Sequence, residues 1–177
     1  LSAMAGETNK LQSFLDDFAS QYSLESDLVL TSGEQVTIGL LSAELKNRGV
    51  KSIPLLGWQI PIITDNSHEK AKILNIDNKR IQKFFEKNDV IVLAGFQGIS
   101  LNGEITSLGR GGSDTTAVAI ASSVNAKRCD IYTDVDGVYT TDPNIDENAK
   151  KISKMSYEEM LEMASTGSKV LHTRSVE

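Results

Sequence analysis

One cysteine, Cys129, in a chain of 177 residues excludes an internal disulfide and any metal site built from several thiolates. The two histidines, His68 and His172, stand far apart without metal-ligand spacing and read as ordinary surface or packing residues. No apolar run reaches the roughly 18–20 residues a bilayer-spanning helix requires. There is no excess of positive charge: the formal net charge is −6 and the sequence pI is about 5.0. That balance argues against nucleic acid or an anionic membrane as partner, and admits an anionic small ligand only through local cationic groups. No signal peptide is visible, which together with a single free thiol points to the cytoplasm. A start methionine is also missing, and the last residues, Leu171–Glu177, form no tail, so both ends read as cut.

What the chain does contain is alternating helix and strand signals. Residues 1–6 read as a strand end and turn, and Leu11, Phe14, Leu15 and Phe18 recur at i, i+3, i+4 and i+7 as one helical face. Leu28-Val29-Leu30 reads as a short buried strand, and Val36, Leu40, Leu41 and Leu45 as a second helix that Gly49 ends. Ile53–Leu56, Ile60–Thr64 and Lys72–Ile76 are expected as short strands, with Pro54 arguing for an edge or a strand end. Asp77 should cap a helix stapled by Ile76 and Ile81. Val90–Ala94 is continuously apolar, as a central parallel strand covered on both faces should be. Phe96–Gly103 is expected to loop out, a small-residue helix follows to about Asn125, and Asp130–Thr133 is expected as a further strand. Ser156-Tyr157-Glu158-Glu159 is a capping box, with Met155 and Met160 as staple, for a helix over 157–165. The pattern is that of one α/β domain, residues 1–177, with a mainly parallel sheet covered by helices on both sides.

Its centre of gravity is Gly103–Thr116, GEITSLGRGGSDTT, which delivers a glycine turn, Arg110 and Asp114 into the start of a helix. Glycines allow close backbone approach, and a helix start presents unpaired N–H groups to an anion. Arg110 offers a planar fork suited to a carboxylate or phosphate. The stretch is neither a Walker loop nor a dinucleotide fingerprint, and Ser113 or Asp114 as an ordinary N-cap is the competing reading. Two further polar clusters, Thr31–Glu34 and Thr133–Asp136, fall at expected strand ends, where open α/β sheets bind ligands. Thr31-x-x-Glu34 is also a capping-box pattern, so the spacing leaves Glu34 open between a cap and a site residue. A calcium loop over Asp134–Gly137 fails, because Tyr132 and Pro143 would occupy ligand positions; a tight turn with Gly137 at positive φ remains. Lys169 on local grounds is a solvated side chain.

Several longer motifs together resemble the catalytic domain of aspartate kinases, in the amino acid kinase family. They are Ser2-Ala3-Met4-Ala5-Gly6, Ser32-Gly33-Glu34, Gly57-Trp58-Gln59, Ala94-Gly95-Phe96-Gln97-Gly98, Leu108–Thr116, Tyr132–Pro143 (YTDVDGVYTTDP), and Lys169–His172 with Arg174–Glu177. The match runs over essentially the whole chain in the family's order. It implies a three-layer αβα sandwich, here without its first strand, and transfer of a phosphoryl group from Mg-ATP to the β-carboxylate of L-aspartate. Carried over by motif, Glu34 would bind the substrate's α-amino group and Arg110 a substrate carboxylate, with Gly112 and Ser113 lining the pocket. Asp114 would be the catalytic aspartate. Thr133, Asp134, Tyr139, Asp142 and Asn144 would hold the nucleotide, with Lys169 near its adenine or ribose. The resemblance assigns no protein ligand to Mg²⁺ and implies a homodimer.

Two departures from the family pattern matter. Asn144 stands where the family's YTTDPR motif has arginine, which removes a cationic nucleotide contact worth about 1 kcal/mol or more. The family's phosphate-contacting lysine, in a K-F-G-G-T-S segment, and its regulatory ACT domains both lie outside this sequence, so the chain alone is expected to be impaired. Two rival readings stay open: a non-catalytic module that binds nucleotide or dimerises, and a kinase for glutamate, acetylglutamate or a nucleoside monophosphate.

Overall fold

The computed structural model describes residues 1–18, 23–133, 137–141, 145–165 and 173–176. In chain order these form helices α1 (Glu7–Ser13), α2 (Ser23–Leu30) and α3 (Ser32–Asn47), then strands β1 (Ser52–Leu55), β2 (Ile62–Thr64) and β3 (Ile73–Ile76). Helix α4 (Asn78–Phe85) precedes β4 (Val90–Leu93), β5 (Gln97–Ser100) and β6 (Ile105–Ser107), and α5 (Gly112–Ser123), α6 (Tyr157–Ser165) and α7 (Thr173–Val176) complete the order. Strands β1 and β4 pair in parallel, while the other strands form a sheet of order β3-β2-β5-β6. In that second sheet β2 and β5 run parallel, and β3 and β6 are antiparallel additions at its edges.

The strand β4 explains the layering. Its Ile91 and Leu93 pack on the cluster of Leu55, Ile60, Ile62 and Ile81, together with Phe84 of α4 and Ile120 of α5. The alternate residues Val90 and Val92, with Ala94 just beyond, pack on Ile38 and Leu45 of α3. A strand alternates its side chains between faces, so an unbroken apolar run fits this position, between helices on both sides. Pro54 sits in β1, which pairs only with β4 among the described residues, so its missing N–H faces away from the ladder. Residues 1–4 are not a strand, yet Leu1 is held along β4: its amine donates to Leu93 O at 2.6 Å and Gly95 N–H donates to its carbonyl at 2.9 Å.

The local end signals act as their chemistry dictates. Gly49 takes φ +81° after α3, with its N–H on Lys46 O and that of Val50 on Leu45 O, the Schellman closure. Asp77 caps α4 by accepting from Arg80 N–H, and Ser156 and Glu159 exchange the reciprocal bonds of a capping box at 3.2 and 2.7 Å.

Four expectations need correction. Leu28-Val29-Leu30 closes helix α2 instead of forming a strand; the helix buries Asp27 completely and leaves Leu28 exposed. The first helix stops at Ser13, so Phe14 and Phe18 are exposed instead of extending its apolar face. Within 96–103, residues 97–100 are strand β5, covered on both faces, whose buried side chains Gln97 and Ser100 are polar and give no hydrophobic alternation. Asp130–Thr133 is not a strand, and Tyr132 is 93% exposed, so nothing buries its ring.

Candidate active site

A cleft of about 640 Å³ opens where α1, the start of α3, the turn before β3 and the start of α5 meet. Its lining includes Ser2, Ala3, Glu34, Glu69, Phe96 and the run Gly109–Asp114. Five of the expected site residues therefore line it, with Glu34 brought from far along the chain to Arg110, Gly112, Ser113 and Asp114.

Glu34 reaches the cleft because the cap reading of Thr31 is wrong. The Thr31 hydroxyl donates backwards to Asp27 O at 2.7 Å and makes no side-chain bond to the helix amides. The Glu34 carboxylate is free to turn inward, where Oε1 accepts the Ala3 N–H at 3.0 Å. Gly33 makes this approach possible, since a Cβ there would lie 2.9 Å from Ala3 Cβ. Oε2 is buried with no hydrogen-bond partner among the described residues. Burial raises the Glu34 carboxyl above its ordinary value, against the lowering pull of the Ala3 and Glu34 backbone N–H groups and of the Leu1 amine. A buried acceptor of this kind is costly unless a donor, best a cationic one, completes it.

Also lining the cleft, α5 starts at Gly112 behind Gly111, an N-cap at φ +69° that offers no side-chain bond to the first turn. Ser113 and Asp114 are thus inside the first turn and not N-caps, which removes the competing structural reading and leaves the helix start open to an anion. Arg110 stands exposed between two positive-φ glycines and forms no ion pair with a described carboxylate. Burial pushes the Asp114 carboxyl above its ordinary value. Phe96, at φ +67°, is held by its N–H on Thr116 Oγ1 at 3.1 Å and by Leu108 N–H on its carbonyl at 2.8 Å. A left-handed conformation at a non-glycine residue is a strained one, and here the surrounding bonds over-determine it.

The nucleotide-side expectations fare differently. Thr133 is exposed and Tyr139 pairs with Lys151 in an isolated antiparallel bridge; neither lines this cleft. Asp134, Asp142, Asn144 and Lys169 lie outside the described residues. Gly137 does take positive φ, at +155°. Among the described residues no group of three acidic, histidine or cysteine side chains is placed to hold a metal. Sequence reasoning missed Glu69, Thr8, Asn9 and Gln12 as lining residues; none carries a local signal, because the fold alone brings them here.

On this α/β fold the cleft brings together a buried carboxylate whose Oε2 has no donor among the described residues, an exposed guanidinium and an uncapped helix start, groups whose chemistry suits a small molecule of both charges. The chain belongs to the amino acid kinase family, whose sequence model matches residues 2–177. It is 53% identical over its whole length to an aspartate kinase of Pseudomonas putida, and 48% to an aspartokinase of Geobacillus stearothermophilus. It spans less than half of these relatives, 43% and 44% respectively. In structure it resembles E. coli aspartokinase III in complex with aspartate and ADP, with a TM-score of 0.83 at 29% identity, covering 96% of this chain and 38% of that one. The aspartate kinase of Synechocystis gives a TM-score of 0.77 at 40% identity over 99% of this chain and 29% of that one.

Proposed function

We propose that the protein containing this chain phosphorylates the β-carboxylate of L-aspartate with Mg-ATP, giving 4-phospho-L-aspartate and ADP. The observation that carries this reading is the buried Oε2 of Glu34, without a partner among the described residues, in the cleft that Arg110 also lines. An α-ammonium group supplies the donor that Glu34 lacks, and the Arg110 fork pairs with a substrate carboxylate. The nucleophilic carboxylate is already ionised near neutral pH, so the reaction needs little from a general base. It needs two anions brought together and their charge stabilised, which suits the open first turn of α5, with Gly112 and Ser113 on its wall. Asp114, at the same helix start, orients the transfer apparatus.

Thr133, Asp134, Tyr139, Asp142, Asn144 and Lys169 hold the nucleotide in this reading. Mg²⁺ arrives with ATP and neutralises phosphate charge, since such metals are held largely by phosphates and water. The protein is cytoplasmic, a homodimer, and opens the synthesis of lysine, threonine and methionine. Self-association is supported by Val36 and Leu40, apolar side chains exposed one turn apart on α3.

The test is aspartate-dependent ADP release by the complete protein with Mg-ATP. Arg110→Ala should raise the aspartate KM by about 100-fold, as loss of a bidentate charge contact does. Asp114→Asn should lower kcat by about 100-fold or more with folding intact by circular dichroism. Glutamate outperforming aspartate as acceptor would overturn the assignment.

A further inference from the structure

Asp27 does not line the cleft, is fully buried, and is used by none of the chemistry above. Its carboxylate nevertheless carries three contacts. Both oxygens accept the Glu69 backbone N–H, at 3.1 and 3.2 Å, and Oδ2 lies 2.8 Å from His68 Nδ1. A carboxylate only accepts, so Nδ1 carries the proton in this bond. The other ring nitrogen faces Glu104 Oε2 at 3.6 Å. His68 is thus far from an ordinary surface histidine; it closes a buried acid that would be costly alone.

The bonds to Asp27 fall on a turn in an unusual state. Glu69 takes φ +64°, a conformation that L-residues other than asparagine and aspartate seldom adopt. In that state its carbonyl oxygen lies 2.6 Å from where a Cβ on Gly109 would be, so the two backbones meet face to face. Ala71 N–H donates to Ser107 O at 2.9 Å, tying the far side of the turn to the end of β6. Gly109 is the residue before Arg110. The buried acid on α2 therefore reaches the guanidinium through one turn and one backbone contact.

We propose that Asp27 and His68 are positioning residues: the pair locks the Glu69 turn, and the locked turn sets the Gly109–Arg110 backbone that aims the guanidinium at the substrate carboxylate. The inference rests on the reading of Arg110 given above. A misplacement of a binding group by about 1 Å costs up to roughly 100-fold in rate, so a lock of this kind has measurable consequences.

The experiment compares His68→Leu, His68→Asn and His68→Gln in the complete protein, each checked by thermal unfolding. The asparagine amide nitrogen can take the place of Nδ1, whereas that of glutamine takes the place of Nε2. His68→Leu and His68→Gln should raise the aspartate KM by about 10-fold or more with the ATP KM held within about twofold, and His68→Asn should restore it to within about threefold. Hydrogen exchange supplies a readout independent of substrate: the Ala71 and Gly112 amides should lose protection in His68→Leu while those of α4 do not. If His68→Leu does not fold, the asparagine and glutamine variants decide alone. Equal rises in both KM values, or no difference between asparagine and glutamine, would overturn the lock. If the wild-type protein does not turn over aspartate, the functional reading fails, and the exchange comparison between the same variants still upholds or removes the lock.

Discussion

Around β1 and β4 the chain buries mostly apolar side chains, Leu55, Val92 and Ala94 joined by Ile62 of β2, against α3, α4 and α5, with one buried hydroxyl pair, Ser42 and Ser52; around β2, β5 and β6 it buries mostly polar ones, Thr64, Gln97, Ser100, Thr106 and Ser107. The first region is held by burial that has no preferred direction. The second is held by bonds that do. Thr64 and Thr106 share a 2.6 Å hydrogen bond, and Gln97 spans two elements, accepting Gly57 N–H at 3.3 Å and donating to Thr31 O at 3.1 Å. Thr31 immediately precedes the turn of helix that carries Glu34, and Ser107 lies at the edge of the cleft. A polar interior costs more to satisfy, but a satisfied network fixes geometry as well as energy. The apolar region supplies the floor, and the polar region places the groups that bind.

That division makes separable predictions. Leu55 is 2% exposed in the apolar cluster, so Leu55→Ala should cost about 2–5 kcal/mol of unfolding free energy in urea titration. The aspartate KM of the remaining folded protein should stay unchanged. A KM that rose with the loss of stability would break the division between floor and site. Gly109→Ala tests the other region. At φ +74°, with Glu69 O 2.6 Å from the new Cβ, the alanine meets both backbone strain and a main-chain clash. The cost should be smaller, about 1–3 kcal/mol, and it should be accompanied by a raised aspartate KM. Unaltered binding would show that the Gly109 backbone does not set the position of Arg110.

The same division governs what could be read from the residues alone. Val90–Ala94, Ile76 with Ile81, and the Ser156–Glu159 box were legible because burial and capping leave periodic or short-range marks. Strand β5 was not, since its buried side chains, Gln97 on one face and Ser100 on the other, are polar and leave no apolar pattern. Leu28-Val29-Leu30 misled for the opposite reason: three apolar residues look like a buried strand, but the residue that α2 buries completely is Asp27. In the site, Glu34 and Arg110 stand out through charge beside glycine, and Asp114 through charge at the start of the helix that follows the glycine turn. Glu69 and its lock on Asp27 leave no local mark, because their partners lie about 40 residues apart, at separations of 41 and 42.

Glu34 is where the two regions meet, and it carries the smallest expected effect. Its carboxyl is raised above the ordinary value, burial being the largest cause, so the folded protein binds that proton more tightly than the unfolded chain does. Stability from this group must then fall as pH climbs from the ordinary glutamate value through the raised folded one, and level off beyond it. Glu34→Gln keeps an oxygen for the Ala3 N–H and has no charge to bury. Its Tm relative to wild type should therefore increase as pH is raised from about 4 to about 8, while its affinity for aspartate falls. Differential melting across that range, alongside KM, measures both. A flat difference in Tm would mean that the Glu34 charge carries no burial penalty, and Oε2, without a partner among the described residues, would lose its force as a sign that this site binds a cationic group.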